Sequence, residues 1–164
     1  MYWGVNGHGF KYGKKVIMDP QEQSPILAVI DSGTTLMILP SKVYDGLLNE
    51  IASNFKDDHS VNMICTKNPE FNEIDVCYFN NTKCEKLYNK IEPIKFVFDK
   101  SVFEIKSPGF LKDDMNFIEE SGKKVPACVI DLRSGKDQDH PDERRFLIGN
   151  TFLKNFYSVY DYDW

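Results

Sequence analysis

No apolar stretch in this 164-residue chain approaches the ~20 residues that span a bilayer. No membrane segment is therefore read in it. A basic cluster is missing too: 20 Lys and Arg stand against 25 Asp and Glu, a formal charge of -5, which argues against nucleic acid as a partner. The four cysteines form no C-x-x-C pair, and His59 and His140 fall in polar stretches. Zinc is the weaker reading of such a set, and no metal or cofactor is expected. An even number of cysteines at irregular spacing suits two disulfides, for which three connectivities are open. His8, His59 and His140 stand in no context that suggests a serine or cysteine nucleophile. Internal repeats and low-complexity tails are absent. The opening MYWGVNGHGF has neither the charged leader nor the apolar middle of a signal peptide, so if the native protein is exported its signal is expected outside this sequence.

What is present is a globular composition, 41% hydrophobic, 13% aromatic and 27% charged, long enough for one domain with a sizeable core. Short strand candidates dominate: Tyr2–Val5 and Gly9–Tyr12 separated by glycine-rich turns, Val16–Met18, Ile26–Ile30, Leu36–Leu39, Phe146–Ile148 and Phe156–Tyr160. Ile94–Phe98 and Val102–Ile105 flank a tight polar turn and read as a hairpin. One helix is predicted after Pro40, with Ser41 as N-cap and Val43, Tyr44, Leu47, Leu48, Ile51 and Phe55 at helical spacing; Gly46 weakens it slightly. A second short helix is predicted over Thr151–Asn155. The polar stretches Lys56–Lys83 and Gly135–Arg144 read as surface loops. The fold class is mainly β with minor helix. Asn80-Asn81-Thr82 is a glycosylation sequon in a polar loop, compatible with a secretory route.

The most informative stretch is Ile26–Pro40, ILAVIDSGTTLMILP. Asp31 lies between two apolar runs, where an ionised carboxylate must be hydrogen-bonded or neutralise. Ser32, Gly33 and Thr34 bring hydroxyls and an unhindered amide to it. A polar hairpin would account for Asp and Gly, which favour turns, but not for the aliphatic residues crowding both sides. Asp31 reads as a working acid.

Taken in order, these landmarks resemble the C-terminal lobe of the pepsin-like aspartic proteases. Tyr2-Trp3 with Gly9-x-x-x-Gly13 is similar to the strand pair that opens that lobe. Ala28–Thr35 resembles its catalytic signature, with Leu39-Pro40 and the helix following. Cys84 before Pro93–Phe98, Cys128 before Phe146–Leu153, and Phe156–Asp161 after it complete the series. The resemblance covers nearly the whole chain, and it implies a single lobe of the bilobal acid protease fold, residues 1–164, with the N-terminal lobe and extreme C-terminus absent. It implies Asp31 as one of two catalytic aspartates and Ser32 as the residue whose hydroxyl grips the opposite lobe. Gly33 and Thr34 would donate to the carboxylate, Thr35 would face substrate, and Ile148-Gly149 would brace the loop from behind. Cys84 and Cys128 match the lobe's half-cystines, and Cys65 with Cys77 would form an additional bridge. Asn150 departs from the family's usual aspartate.

The chemistry implied is proteolysis by a water activated between two carboxylates that share one proton, since like charges about 3 Å apart cannot both ionise. This chain has one such signature; Glu120-Ser121-Gly122-Lys123 lacks an apolar strand before it and reads as a surface turn. The expected partners are a peptide or protein substrate and an N-terminal lobe carrying the second Asp, in the secretory pathway, a lysosome or vacuole, or outside the cell. The isolated chain is expected to be inactive. The alternatives are self-pairing of two copies and a non-catalytic β domain that binds peptides or a partner.

Overall fold

The computed structural model describes residues 3–19, 25–68, 74–119, 121–135 and 145–161. In chain order the elements are β1 (Trp3–Tyr12), β2 (Lys15–Met18), β3 (Ile26–Ile30), β4 (Met37–Leu39), α1 (Ser41–Ser53), β5 (Met63–Asn68) and β6 (Ile74–Asn80). They continue through β7 (Ile94–Phe98), β8 (Ser101–Ile105), β9 (Leu111–Ile118), β10 (Lys124–Ile130), β11 (Leu132–Ser134), β12 (Arg145–Ile148) and α2 (Asn150–Leu153). The larger sheet runs β11-β4-β12-β3-β1-β7-β8, with β2 also paired to β1; the smaller runs β5-β6-β10-β9. Most pairings are antiparallel, but β12 lies parallel to β3 and β11 parallel to β4. Those two parallel pairings gather the distant C-terminal segment onto the strands that flank Asp31.

The core lies between the sheets and α1. Helix α1 buries Val43, Tyr44, Leu47 and Ile51, the i, i+1, i+4, i+8 face its sequence offers. Its Gly46 permits close packing: a Cβ there would stand 2.8 Å from Ile17 Cγ2 on β2. Phe10, Phe96 and Phe146 are fully buried, with Phe10 and Phe146 each edge-on or stacked against its neighbours, and each such ring contributes about 1.5–3 kcal/mol by burial. A smaller cluster of Val76, Tyr78, Phe117, Val125, Ala127 and Val129 covers one face of the four-stranded sheet.

Several elements differ from the sequence reading. The two opening strands are one, β1, in which the presumed turn glycines sit at a register shift between Gly7 and Gly9 rather than in a loop; Tyr2 lies outside the described residues. Ser41 is the first helical residue and Pro40 occupies the cap, with no side-chain capping bond. The stretch Lys56–Lys83 holds a hairpin, β5–β6, whose partners Cys65 and Cys77 face each other in register and are disulfide-bonded. Of the stretch 135–144 only Gly135 is described. Phe156–Tyr160 is not a strand, because no described strand runs beside it to take its hydrogen bonds; Tyr157 is 95% and Val159 77% exposed. The Ile94–Ile105 hairpin and the short helix at Thr151 are present, the latter starting at Asn150. Residues Ser121–Lys123 turn between β9 and β10. A second disulfide joins Cys84 to Cys128, both fully buried.

Candidate active site

Strand β3 ends at Ile30, and the parallel ladder with β12 continues one step further: the Asp31 amide donates to the Ile148 carbonyl at 3.0 Å. The chain then turns, with the Thr34 amide donating to the Asp31 carbonyl at 3.3 Å. That turn brings two donors onto the side chain. The Gly33 amide reaches Asp31 Oδ1 at 2.9 Å and the Thr34 hydroxyl reaches Oδ2 at 2.6 Å. Each carboxylate oxygen accepts one bond, and the group stays partly exposed. Among the described residues, both bonds come from Thr34 and Gly33 and neither from a second carboxyl group.

The Thr34 hydroxyl first, and the Gly33 amide second, hold the Asp31 pKa below the ordinary carboxylate range against a smaller opposing effect of desolvation. Because the folded value is depressed, the stabilisation is present above the unfolded carboxylate's pKa and is lost as pH falls through the folded one. Thr34→Val keeps the shape and removes the stronger donor. The Asp31 carboxyl, followed by 13C NMR titration, is expected to titrate at higher pH in this variant; an unchanged midpoint would show that the hydroxyl does not hold the charge.

Behind the loop, the segment after β12 is bonded to it residue by residue. The Asn150 amide donates to the Thr34 carbonyl at 2.8 Å and the Thr151 amide to the Thr35 carbonyl at 3.1 Å. Asn150 Nδ2 donates to the Ser32 carbonyl at 3.3 Å, a bond that an ionised aspartate at this position has no proton to make. Gly149 passes so close that a Cβ would lie 2.0 Å from the Leu36 oxygen and 2.4 Å from that of Thr34. Ser32, Gly33 and Thr35 are exposed. The sequence-predicted residues 31–35, 148 and 149 are thus brought together in one place.

Asn80 is elsewhere. It ends β6 opposite Ala127, half-buried, and its carbonyl accepts the Thr82 hydroxyl at 3.0 Å. His8 lies 3.5 Å from Asp99, His59 is in a loop, and His140 lies outside the described residues. Among the described residues no cluster suited to a metal ion occurs, and no helix is long and apolar enough to cross a membrane.

Sequence reasoning missed two buried charged residues beside the loop. Asp131 is the single residue between β10 of the small sheet and β11 of the large one, and it is anchored by its amide to the Phe110 carbonyl at 2.9 Å. Its Oδ2 accepts the hydroxyl of Thr151 at 2.8 Å, and that hydroxyl also lies 3.2 Å from the Thr35 carbonyl. Arg133 follows, buried, with Nη1 donating to the Ile130 and Leu132 carbonyls at 2.8 and 2.7 Å. Burial lowers its pKa, while the neighbouring Tyr44 and Asp131 act against that. The available signal was the one that marked Asp31: a charged residue framed by apolar neighbours, here CVIDLR. A groove of about 520 Å³ runs from Thr34, Thr35 and Leu36 past Asp131 and Arg133 to Lys112 and Asp114.

The chain is similar to known proteins along this whole length. It is 23% identical over 160 residues to rhizopuspepsin-1 of Rhizopus niveus, covering 98% of this chain and 30% of that protein. It is 25% identical over 145 residues to rhizopuspepsin-4 of the same organism, covering 88% of this chain and 27% of that protein. The chain therefore spans less than a third of the length of these curated relatives. Among solved structures, the aspartic proteinase from Irpex lacteus superposes with a TM-score of 0.63 at 20% identity, over 98% of this chain and 40% of that one. The fold is that of one lobe of a pepsin-like protease, mainly β with two short helices. The family model for eukaryotic aspartyl protease matches residues 1–164, and the chain belongs to that family.

Proposed function

We propose that residues 1–164 form the C-terminal lobe of an aspartic-type endopeptidase and supply one catalytic aspartate, Asp31. The observation that carries this reading is the carboxylate itself: partly exposed, with one donor on each oxygen, on a loop clamped from behind by Gly149–Thr151. An acid so held stays ionised and fixed in direction, as the base in water activation requires. A second lobe supplies the other carboxyl, which remains protonated and polarises the scissile carbonyl, the pair titrating as a unit. On this reading Ser32 meets that lobe and Thr35 the peptide, which their exposure supports. Uncovered Tyr157 and Val159, with Trp3 packed edge-on against Tyr160, give an apolar margin suited to a second lobe. Two disulfides fit a secretory, vacuolar or extracellular setting, with Asn80 as the glycosylation site.

The test is cleavage of quenched peptides carrying hydrophobic residues about the scissile bond. The chain alone is expected to be inactive, and addition of a lobe bearing the second signature is expected to give pepstatin-sensitive turnover. Asp31→Ala in the paired form is expected to lower turnover by at least about 10²–10⁴-fold. Turnover by the chain alone, rising with the square of its concentration, would replace this reading with self-pairing. Retained turnover in Asp31→Ala would remove Asp31 from the chemistry.

A further inference from the structure

The groove beside the loop contains a cation that the described residues supply with partners for only part of its hydrogen-bonding capacity. Arg133 is 8% exposed, yet among the described residues no carboxylate comes within ion-pair distance of it. Among the described residues its bonds are made by Nη1 alone, to two backbone carbonyls. A guanidinium carries five N–H donors in a planar fork suited to a carboxylate. The two acids that share the groove each accept a bond from a neutral donor, Asp131 from the Thr151 hydroxyl and Asp114 from the Asn116 amide at 2.9 Å, and neither lies within ion-pair distance of Arg133. Lys112 adds a second positive charge at the exposed rim. The apolar wall of Leu36, Ile38, Val76 and Val129 excludes water from one side, which strengthens a charge-assisted bond made there.

Because Thr34, Thr35 and Leu36 belong both to the groove and to the loop of Asp31, a peptide lying across the loop passes its mouth. We propose that the groove is a subsite for an acidic side chain of the bound peptide, with Arg133 as the residue that selects glutamate or aspartate there. This rests on the reading of the loop as a peptide site, and it adds the class of residue accepted next to it.

The probe is a pair of capped hexapeptides identical except for one Glu or Gln, titrated into the 15N-labelled full chain. The glutamate peptide is expected to bind about tenfold more tightly and to shift the Arg133 Nε–H resonance and the Thr35 amide. Arg133→Gln is expected to abolish the preference, and Lys112→Gln to retain most of it. Equal affinity for the two peptides, or a preference carried by Lys112 instead, overturns the proposal. Should Arg133→Gln fail to fold, the peptide pair and the Arg133 resonance in the unaltered chain decide alone. Asp31→Asn is expected to keep the preference. Preference without proteolysis in the paired form therefore sinks only the catalytic reading, and proteolysis without preference sinks only this one.

Discussion

Gly149→Ala is expected to destabilise the chain by about 3–5 kcal/mol. The added carbon would meet the Leu36 oxygen at 2.0 Å and the Thr34 oxygen at 2.4 Å, far inside van der Waals contact, and both are backbone atoms rather than the ends of movable side chains. Relief requires the segment after β12 to withdraw by about 1 Å or more from the loop. Withdrawal breaks the Asn150-to-Thr34 and Thr151-to-Thr35 bonds, about 1 kcal/mol each, on top of about 1–3 kcal/mol of overpacking. For a domain of this size the loss corresponds to a fall in Tm of about 6–20 °C. A thermal melt measures it, and a shift within about 2 °C would show that the two segments are not rigidly apposed. The same variant has a local consequence. With Thr34 no longer held by its carbonyl, its hydroxyl loses alignment on Asp31, so the Asp31 carboxyl is expected to titrate at higher pH.

That dependence explains what was readable in the sequence. The Asp31 loop was legible because its signal is local: acid, hydroxyls and glycine lie within five residues, between two aliphatic strands that bury their apolar sides. The bracing segment was legible only through its resemblance to the family, since nothing in FLIGN alone says which strand it will lie parallel to. Strands β5, β6, β9 and β10 escaped for a different reason. Strand β9, LKDDMNFI, buries only Leu111 and Phe117 and carries two aspartates, so periodicity gives no strand signal. Its place is fixed by pairing with β10, a tertiary fact. Phe156–Tyr160 failed in the opposite sense, with a strand pattern and no described neighbour to pair with. Asp131 and Arg133 were lost because charged residues near a turn are ordinarily solvated. Their apolar neighbours in CVIDLR hinted at burial, but its cause is the chain crossing between the two sheets at that point, which belongs to the topology.

Removing the Cys84–Cys128 bridge by paired alanine substitution is expected to cost about 4 kcal/mol, against about 3 kcal/mol for Cys65–Cys77. The bridges span 44 and 12 residues, and a longer closed loop removes more entropy from the unfolded chain, by about 1 kcal/mol at this ratio. Packing acts in the same direction: Cys84 and Cys128 are both fully buried in the main core, whereas Cys65 is exposed and only Cys77 is enclosed. A domain's total stability is about 5–15 kcal/mol, so the longer bridge accounts for a quarter or more of it. Urea unfolding of the two double variants at equal pH ranks them, and an equal or reversed order would mean that native-state strain outweighs the chain-entropy difference. The damage should also be uneven across the site. Cys128 lies three residues before Asp131, at the entry to the crossing that places Arg133, while Asp31 is held by β12 and Gly149–Thr151. In the variant lacking Cys84–Cys128, therefore, the folded population is expected to lose glutamate preference in the groove while Asp31 keeps its depressed titration.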